Sequence, residues 1–335
     1  MPADGLRSPA RFPDVASAAG HYESFYIKTS NPAEPLGVWI RHTVHKPSGK
    51  DPVGSLWFTL FDGSGDGPRA SKVTLPPGEL GSGPDHYIHV GESRLEPGRA
   101  SGGAKSELVD ASWELEFESP EPPLRHLPRD WMYRARLPRT KLLSPYPGAR
   151  FSGRVQVDGR TLELDGWPGM IGHNWGAEHA ERWIWMHGTG FDGHGPDTWL
   201  DMALGRIKVG PATTPWIGNG CLSLGGDRIQ LGGLERMRST EVGETPIGCE
   251  FELAGKGVKL RGTVGSDRES FVGWVYADPD GGEHHTVNCS VARMELTVER
   301  RGEEPLTLVT RGGAAYELGM RERDHGMQIQ PFPDP

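Results

Sequence analysis

The residues best suited to chemistry lie between Gly166 and Gly188. There Gly166-Trp167-Pro168-Gly169-Met170-Ile171-Gly172-His173-Asn174-Trp175-Gly176 runs through Ala177 to Arg182 into Trp183-Ile184-Trp185-Met186-His187-Gly188. Alternation along an extended chain puts Trp183, Trp185 and His187 on one face and Ile184 and Met186 on the other. Two indoles and an imidazole in a row make an aromatic wall ending in a polar group. Such a wall suits a mostly apolar ligand held by a few fixed polar contacts. Tryptophan also fills β cores, so core filling is the competing reading of each ring. His173 and Asn174, set between glycines, either satisfy backbone groups of a buried turn or touch the ligand. Further on, His285 shares a face with Val287 and Cys289, and Asn288 with Thr286 and Ser290; these polar groups line a pocket or face water.

Two other chemistries find less support. The chain has thirteen histidines, and His173, His179, His187 and His194 fall close together. None shows His-Glu-x-x-His or another known ligand spacing, so no metal is expected. A cupin-like metal enzyme is the remote alternative. No Gly-x-Ser-x-Gly elbow marks a hydrolase.

The elements that must position these residues are strands. Trp113-Glu114-Leu115-Glu116-Phe117-Glu118 alternates apolar with acidic, as a half-buried strand does. Residues 36–45, 56–61 and 151–157 read likewise, as do 182–187, 198–206, 271–276, 284–299 and 305–310. Asp158-Gly159 between alternating runs is a hairpin signal. Helical patterning is confined to one turn at Ala177-Glu178-His179-Ala180-Glu181, too short to stand alone. The Gly-rich stretches 63–67 and 78–83 read as hairpin tips. The Pro-rich stretches 119–128 and 143–147 read as connections. Many short strands with Gly/Pro turns indicate an all-β protein of sandwiches or closed barrels.

Asn174-Trp175-Gly176 followed by Trp183-x-Trp185 resembles the signature of tocopherol cyclase-like proteins. These belong with the carotenoid 1,2-hydratases (hydroxyneurosporene synthases), related pericyclases and survival-factor lipid carriers. Glu23-Ser24-Phe25-Tyr26-Ile27-Lys28 is similar to that family's opening Glu-Gly-Trp-Tyr-Phe-Lys, with Ser24 and Phe25 departing from it. The resemblance implies two lipocalin-like antiparallel β domains, with a pocket in a barrel or at the junction; the boundary is placed near residue 180, giving domains 1–180 and 181–335. It also implies chemistry without a redox cofactor, in which an acid protonates an alkene while aromatic faces stabilise the cation. That chemistry needs a proton donor of raised pKa in an apolar pocket. The candidate acids are Asp201, which shares a face with Trp199 and Ala203, and Glu23. Asp201 could instead face solvent or pair with Arg206. The ligand-contacting set is then Tyr26, His173, Asn174, Trp175, Trp183, Trp185, His187, Trp199, His285 and Asn288.

Composition bounds the partners. At 335 residues two domains are the default. A net charge of −9 opposes binding to nucleic acid or an anionic membrane surface. No apolar run reaches the roughly 20 residues of a membrane helix, and residues 1–11 lack a signal core, so a cytoplasmic protein is expected. Cys221, Cys249 and Cys289 read as reduced, buried thiols. Two functions remain open: cofactor-free hydration, cyclisation or isomerisation of an isoprenoid, polyketide-like or other lipid-like molecule, or carriage of such a molecule without turnover. A buried carboxylate facing the ligand favours the first.

Overall fold

The computed structural model describes residues 6–65 and 67–330. Met1 to Gly5 of the N-terminal stretch read above, and Asp66 within the 63–67 tip, lie outside them. The chain is all-β: two large antiparallel sheets, one nearly closed and one a closed eight-stranded barrel. Among the described residues helix is limited to short 3-10 segments, and no helix is long and apolar enough to cross a membrane.

Strands between His21 and Gly176 make the first sheet. It is a meander in which the opening strand His21–Ser30 returns to pair with Arg160–Gly176, Tyr26 lying opposite Gly172. Strands between Arg182 and Met320 make the second, which closes where Leu231 pairs with Gly255. Local sequence explains the elements. Asp110–Glu118 alternates exposed and buried along its whole length, its apolar side facing the core. Asp158 and Gly159 take φ of 50° and 83°, the left-handed pair of a two-residue hairpin turn, with Val157 opposite Arg160. All three cysteines are free and buried.

Three local expectations need correction. Residues 177–181 form bends rather than a helical turn, because the His179 N–H and ring are both taken by Asp278. The stretch 143–147 is no connection but part of the strand Thr140–Val157. Its pairing with Arg160–Gly176 slips between Leu143 and Tyr146 and again between Tyr146 and Ala149; at such bulges a proline's missing N–H is tolerated. The strand foreseen at 305–310 continues as Leu306–Met320.

The two sheets share a core. Trp39, Trp57 and Phe61 of the first sheet cluster with residues of the second. The Trp57 ring stands 4.9 Å from Trp274 and 5.5 Å from Tyr276, edge to face in both cases. That orientation is the one the ring quadrupoles favour.

Candidate functional site

A cavity of about 50 Å³ opens where the sheets meet, lined by Tyr26, Trp39, Arg41, Leu142, Asn174, Trp183, Trp185, Tyr276 and Glu317. Glycines set its aromatic walls. Tyr26 lies opposite Gly172 and Trp183 opposite Gly319. A Cβ on Gly172 would stand 2.1 Å from the Tyr26 ring, and one on Gly319 2.2 Å from the Trp183 ring. Only glycine lets each ring lie flat across the neighbouring strand. Trp185 meets Tyr26 edge-on, centroids 5.2 Å apart.

Charged groups close the cavity. Glu317 accepts three hydrogen bonds, from Trp183 Nε1 (3.0 Å), the Tyr276 hydroxyl (3.2 Å) and Asn288 Nδ2 (3.1 Å). Three donors converging on one side chain fix its orientation in the cavity wall. Arg41 is buried, its Cζ 4.0 Å above the Tyr276 ring, and its Nε donates to Ser24 Oγ at 2.8 Å. Ser24, a departure from the motif, thus anchors the arginine. Arg41 Nη1 and Asn174 Oδ1 are buried without hydrogen-bond partners. An unmet donor and an unmet acceptor at one cavity are costly unless something polar enters, at about 1–3 kcal/mol each.

The two candidate acids lie outside this lining, each in a sealed cluster. Asp201 is fully buried; Ser144 Oγ donates to its Oδ2 at 2.5 Å and Trp185 Nε1 to its Oδ1 at 3.3 Å. His126 Nε2 stands 3.5 Å from Oδ2. The proline bulge supplies Ser144, and also the Pro147 carbonyl that accepts from His187 Nε2 at 3.0 Å. Burial alone would push the Asp201 carboxyl up, but His126, His187 and Ser144 outweigh it and hold it below the usual range. Glu23 accepts from the backbone N–H of Arg11 (2.8 Å) and Phe12 (2.7 Å) and from His173 Nε2 (2.7 Å). Ser8 Oγ lies 2.6 Å from His173 Nδ1. Burial opposes the Glu23 charge, yet the His173 and His21 hydrogen bonds bring its pKa down to about 2. Both carboxyls are therefore ionised at neutral pH, the opposite of what a proton donor requires.

The remaining residues separate in space. Tyr26, Asn174, Trp183 and Trp185 meet at the cavity. Asn288 stands behind it on Glu317. His187 stacks on Trp185 at 6.4 Å without reaching the lining. Trp175 and Phe25 sandwich the His173 ring at 4.5 and 3.9 Å. Trp199 is core, packed with Leu124 and Cys221. His285 pairs with His325 at 3.1 Å. Sequence reasoning missed Arg41, Tyr276 and Glu317. Each charge had a signal, since Arg41 follows Trp39-Ile40 and Glu317 follows Ala314-Ala315-Tyr316, lone charges within apolar strands. A larger open groove, about 1080 Å³, is lined by residues such as Arg7, Phe117, Tyr146 and Asp197 and holds none of the expected residues.

Fold and site together define a two-barrel β protein with an aromatic, ionically capped cavity at the junction. Its fold is shared with two solved structures along most of the chain. It is similar to an AttH-like protein of Nitrosomonas europaea, with a TM-score of 0.55 at 12% identity, covering 96% of this chain and 99% of that one. It is also similar to kievitone hydratase of Nectria haematococca, with a TM-score of 0.50 at 11% identity, covering 90% and 89%. At such identities the likeness is one of fold. By sequence it is 26% identical over 328 residues to the uncharacterized protein Rv0493c of Mycobacterium tuberculosis, covering 95% of this chain and 92% of the relative. No family model matches the chain.

Proposed function

We propose that the junction cavity is the active site of a cofactor-independent hydratase-type enzyme. It adds water, or a hydroxyl of the substrate itself, across a carbon–carbon double bond of an apolar isoprenoid or polyketide-like molecule. The observation that carries this reading is the convergence of Glu317, Arg41 and Asn174 on a space for a few waters, one water needing about 10–15 Å³, between aromatic faces. Arg41 Nη1 donates to a substrate carbonyl oxygen and draws the π electrons of a conjugated double bond towards it. The attacking oxygen bonds to the far carbon while Glu317 takes its proton. The same proton then returns to the carbon beside the carbonyl, so the net change is addition of H and OH. Asn174 Oδ1 accepts from the attacking water. Asp201 acts through Trp185, whose N–H it holds, as a positioning residue.

The apolar body of the substrate needs several hundred Å³, and Trp183, half-buried at the cavity, is the side chain whose swing would admit it. A guanidinium can hold a ligand's polar head in carrier and enzyme alike, but a carboxylate beside it supplies a base that carriage does not require, which is why catalysis is preferred to carriage. The test is a panel of isoprenoid and prenylated conjugated ketones incubated with the protein in ¹⁸O-water and read by mass spectrometry. The wild type should give a product carrying the heavy oxygen. Glu317→Gln should lose it while the same compound still quenches tryptophan fluorescence. Equal quenching with no labelled product from any compound would establish carriage instead. Undiminished turnover by Glu317→Gln would place the base elsewhere.

A further inference from the structure

We propose that His179, Asp278 and His284 form a binding site for a divalent transition-metal cation, zinc by the character of its ligands. The ion would fasten the connector between the two barrels to the hairpin that joins Val272–Ala277 to Glu283–Arg300. Its ligands are not among the cavity-lining residues, and it meets the proposed active site only through Trp183, which packs against both.

Three observations carry it. First, one ligand atom from each of the three side chains lies within 4.8 Å of the others. An ion about 2.1 Å from each ligand holds neighbouring ligand atoms roughly 3.4 Å apart in a tetrahedron, so side-chain rotations of about an ångström complete the set. Second, the cluster is buried, with side-chain exposures of 8%, 1% and 0% for His179, Asp278 and His284. Even so, His179 Nε2, Asp278 Oδ2 and both ring nitrogens of His284 have no hydrogen-bond partner. Asp278 Oδ2 stands 3.3 Å from His284 Nδ1 but out of hydrogen-bond alignment. Four unsatisfied polar atoms in one buried place are what a ligand set presents before its ion arrives. Third, the surroundings are aromatic. Tyr22 stacks on His179 at 3.8 Å, Trp183 stacks on it at 5.3 Å, and the Trp183 ring meets His284 edge-on at 5.0 Å.

The chemistry of the set fits a borderline ion: two imidazoles and a carboxylate suit zinc, cobalt or iron(II) better than calcium or magnesium. The third contact of Asp278 is a competitor. Arg321 Nη2 lies 3.6 Å from Oδ2, and this partly exposed arginine has other partners, Glu181 Oε2 at 3.7 Å and the Glu283 carbonyl at 2.9 Å. A cation displaces it without leaving it unpaired. His179 sits between the last strand of the first sheet and the first strand of the second. An ion there ties the inter-barrel connector down and sets the back of Trp183. The ligands come from positions 179, 278 and 284, so no local spacing could reveal them, and the proposal runs against the expectation of no metal drawn from spacing alone.

The experiment uses the full chain, stripped with a chelator and then titrated with zinc by calorimetry and with cobalt(II) by visible absorption. The expected result is one equivalent per chain, intense tetrahedral cobalt bands and a higher melting temperature with metal. His284→Ala should weaken zinc at least a hundredfold. Arg321→Gln, on the surface and safe for folding, should tighten it severalfold by removing the competitor, which keeps the test decisive if the buried variant fails to fold. Absence of a stoichiometric ion overturns the proposal. So does a stoichiometric ion insensitive to Arg321→Gln, since that places the ion elsewhere.

Discussion

Replacing Lys28 by Met should stabilise the protein, and by an amount that shrinks as pH rises. Lys28 is fully buried between the sheets, and its Nζ donates to the Gly313 carbonyl at 2.6 Å. Burial brings its pKa down to about 7, against about 10.4 for an unfolded lysine. Between those values the unfolded chain holds a proton that the native one releases, so stability climbs with pH, by up to about 1.4 kcal/mol per unit. The cost of the buried ammonium is largest at and below pH 7 and fades as pH approaches 10.4. Integrating between the two pKa values gives a penalty of about 4 kcal/mol at pH 7 and about 2 kcal/mol at pH 9. Methionine keeps the stem and removes the charge. The Gly313 carbonyl remains bonded to Thr189 N and Oγ1, both at 3.1 Å. Urea unfolding of both proteins at pH 7, 8 and 9 should show the variant ahead, with its lead falling by about 2 kcal/mol across the series. Differences between the two proteins cancel the titrating groups that Lys28 does not influence; His187, which burial and Lys28 push down to about 4, stays neutral across this range. A lead that stays constant would mean that Lys28 is protonated throughout, its charge compensated by the carbonyl dipoles around it.

Glu23→Gln tests the opposite sign. A carboxyl depressed to about 2 adds stability that is fully present above the ordinary carboxylate pKa and lost as pH falls through 2. The variant should be weaker by about 3 kcal/mol at neutral pH, with the gap closing in acid; a pH-independent gap in urea midpoints would contradict this. Gly319→Ala should lift Trp183 off its strand, because the new methyl would stand 2.2 Å from the ring. The melting temperature should fall and the tryptophan emission shift. An unchanged spectrum would show that the ring does not depend on the glycine.

The architecture was legible because strand burial is written at short range: Asp110–Glu118 shows its alternation in six consecutive letters, and Asp158-Gly159 shows its turn in two. The site was half legible. Tyr26, Asn174, Trp183 and Trp185 stood out through their types and local motifs, and all four reach the cavity. Glu317 and Arg41 did not, since what brings them there is the pairing of the last strand with Arg182–Gly188 and the packing of the two sheets. Proline misled at 143–147, where chemistry that usually ends a strand instead bulges one and aims Ser144 at Asp201. The acids were chosen for apolar settings. Asp201 is buried as that choice assumed, but groups at positions 126, 187 and 144, distant in sequence, decide its charge.

The shared core bears on the order in which the chain is made. The first sheet is fully synthesised at Gly176, but Trp274, against which Trp39 and Trp57 pack, comes 98 residues later. At about 5–20 residues per second the ribosome needs about 5–20 s to supply it. For that interval the first sheet lacks the ring against which these two tryptophans pack. The last part of that shared core is therefore completed only after most of the chain has been made.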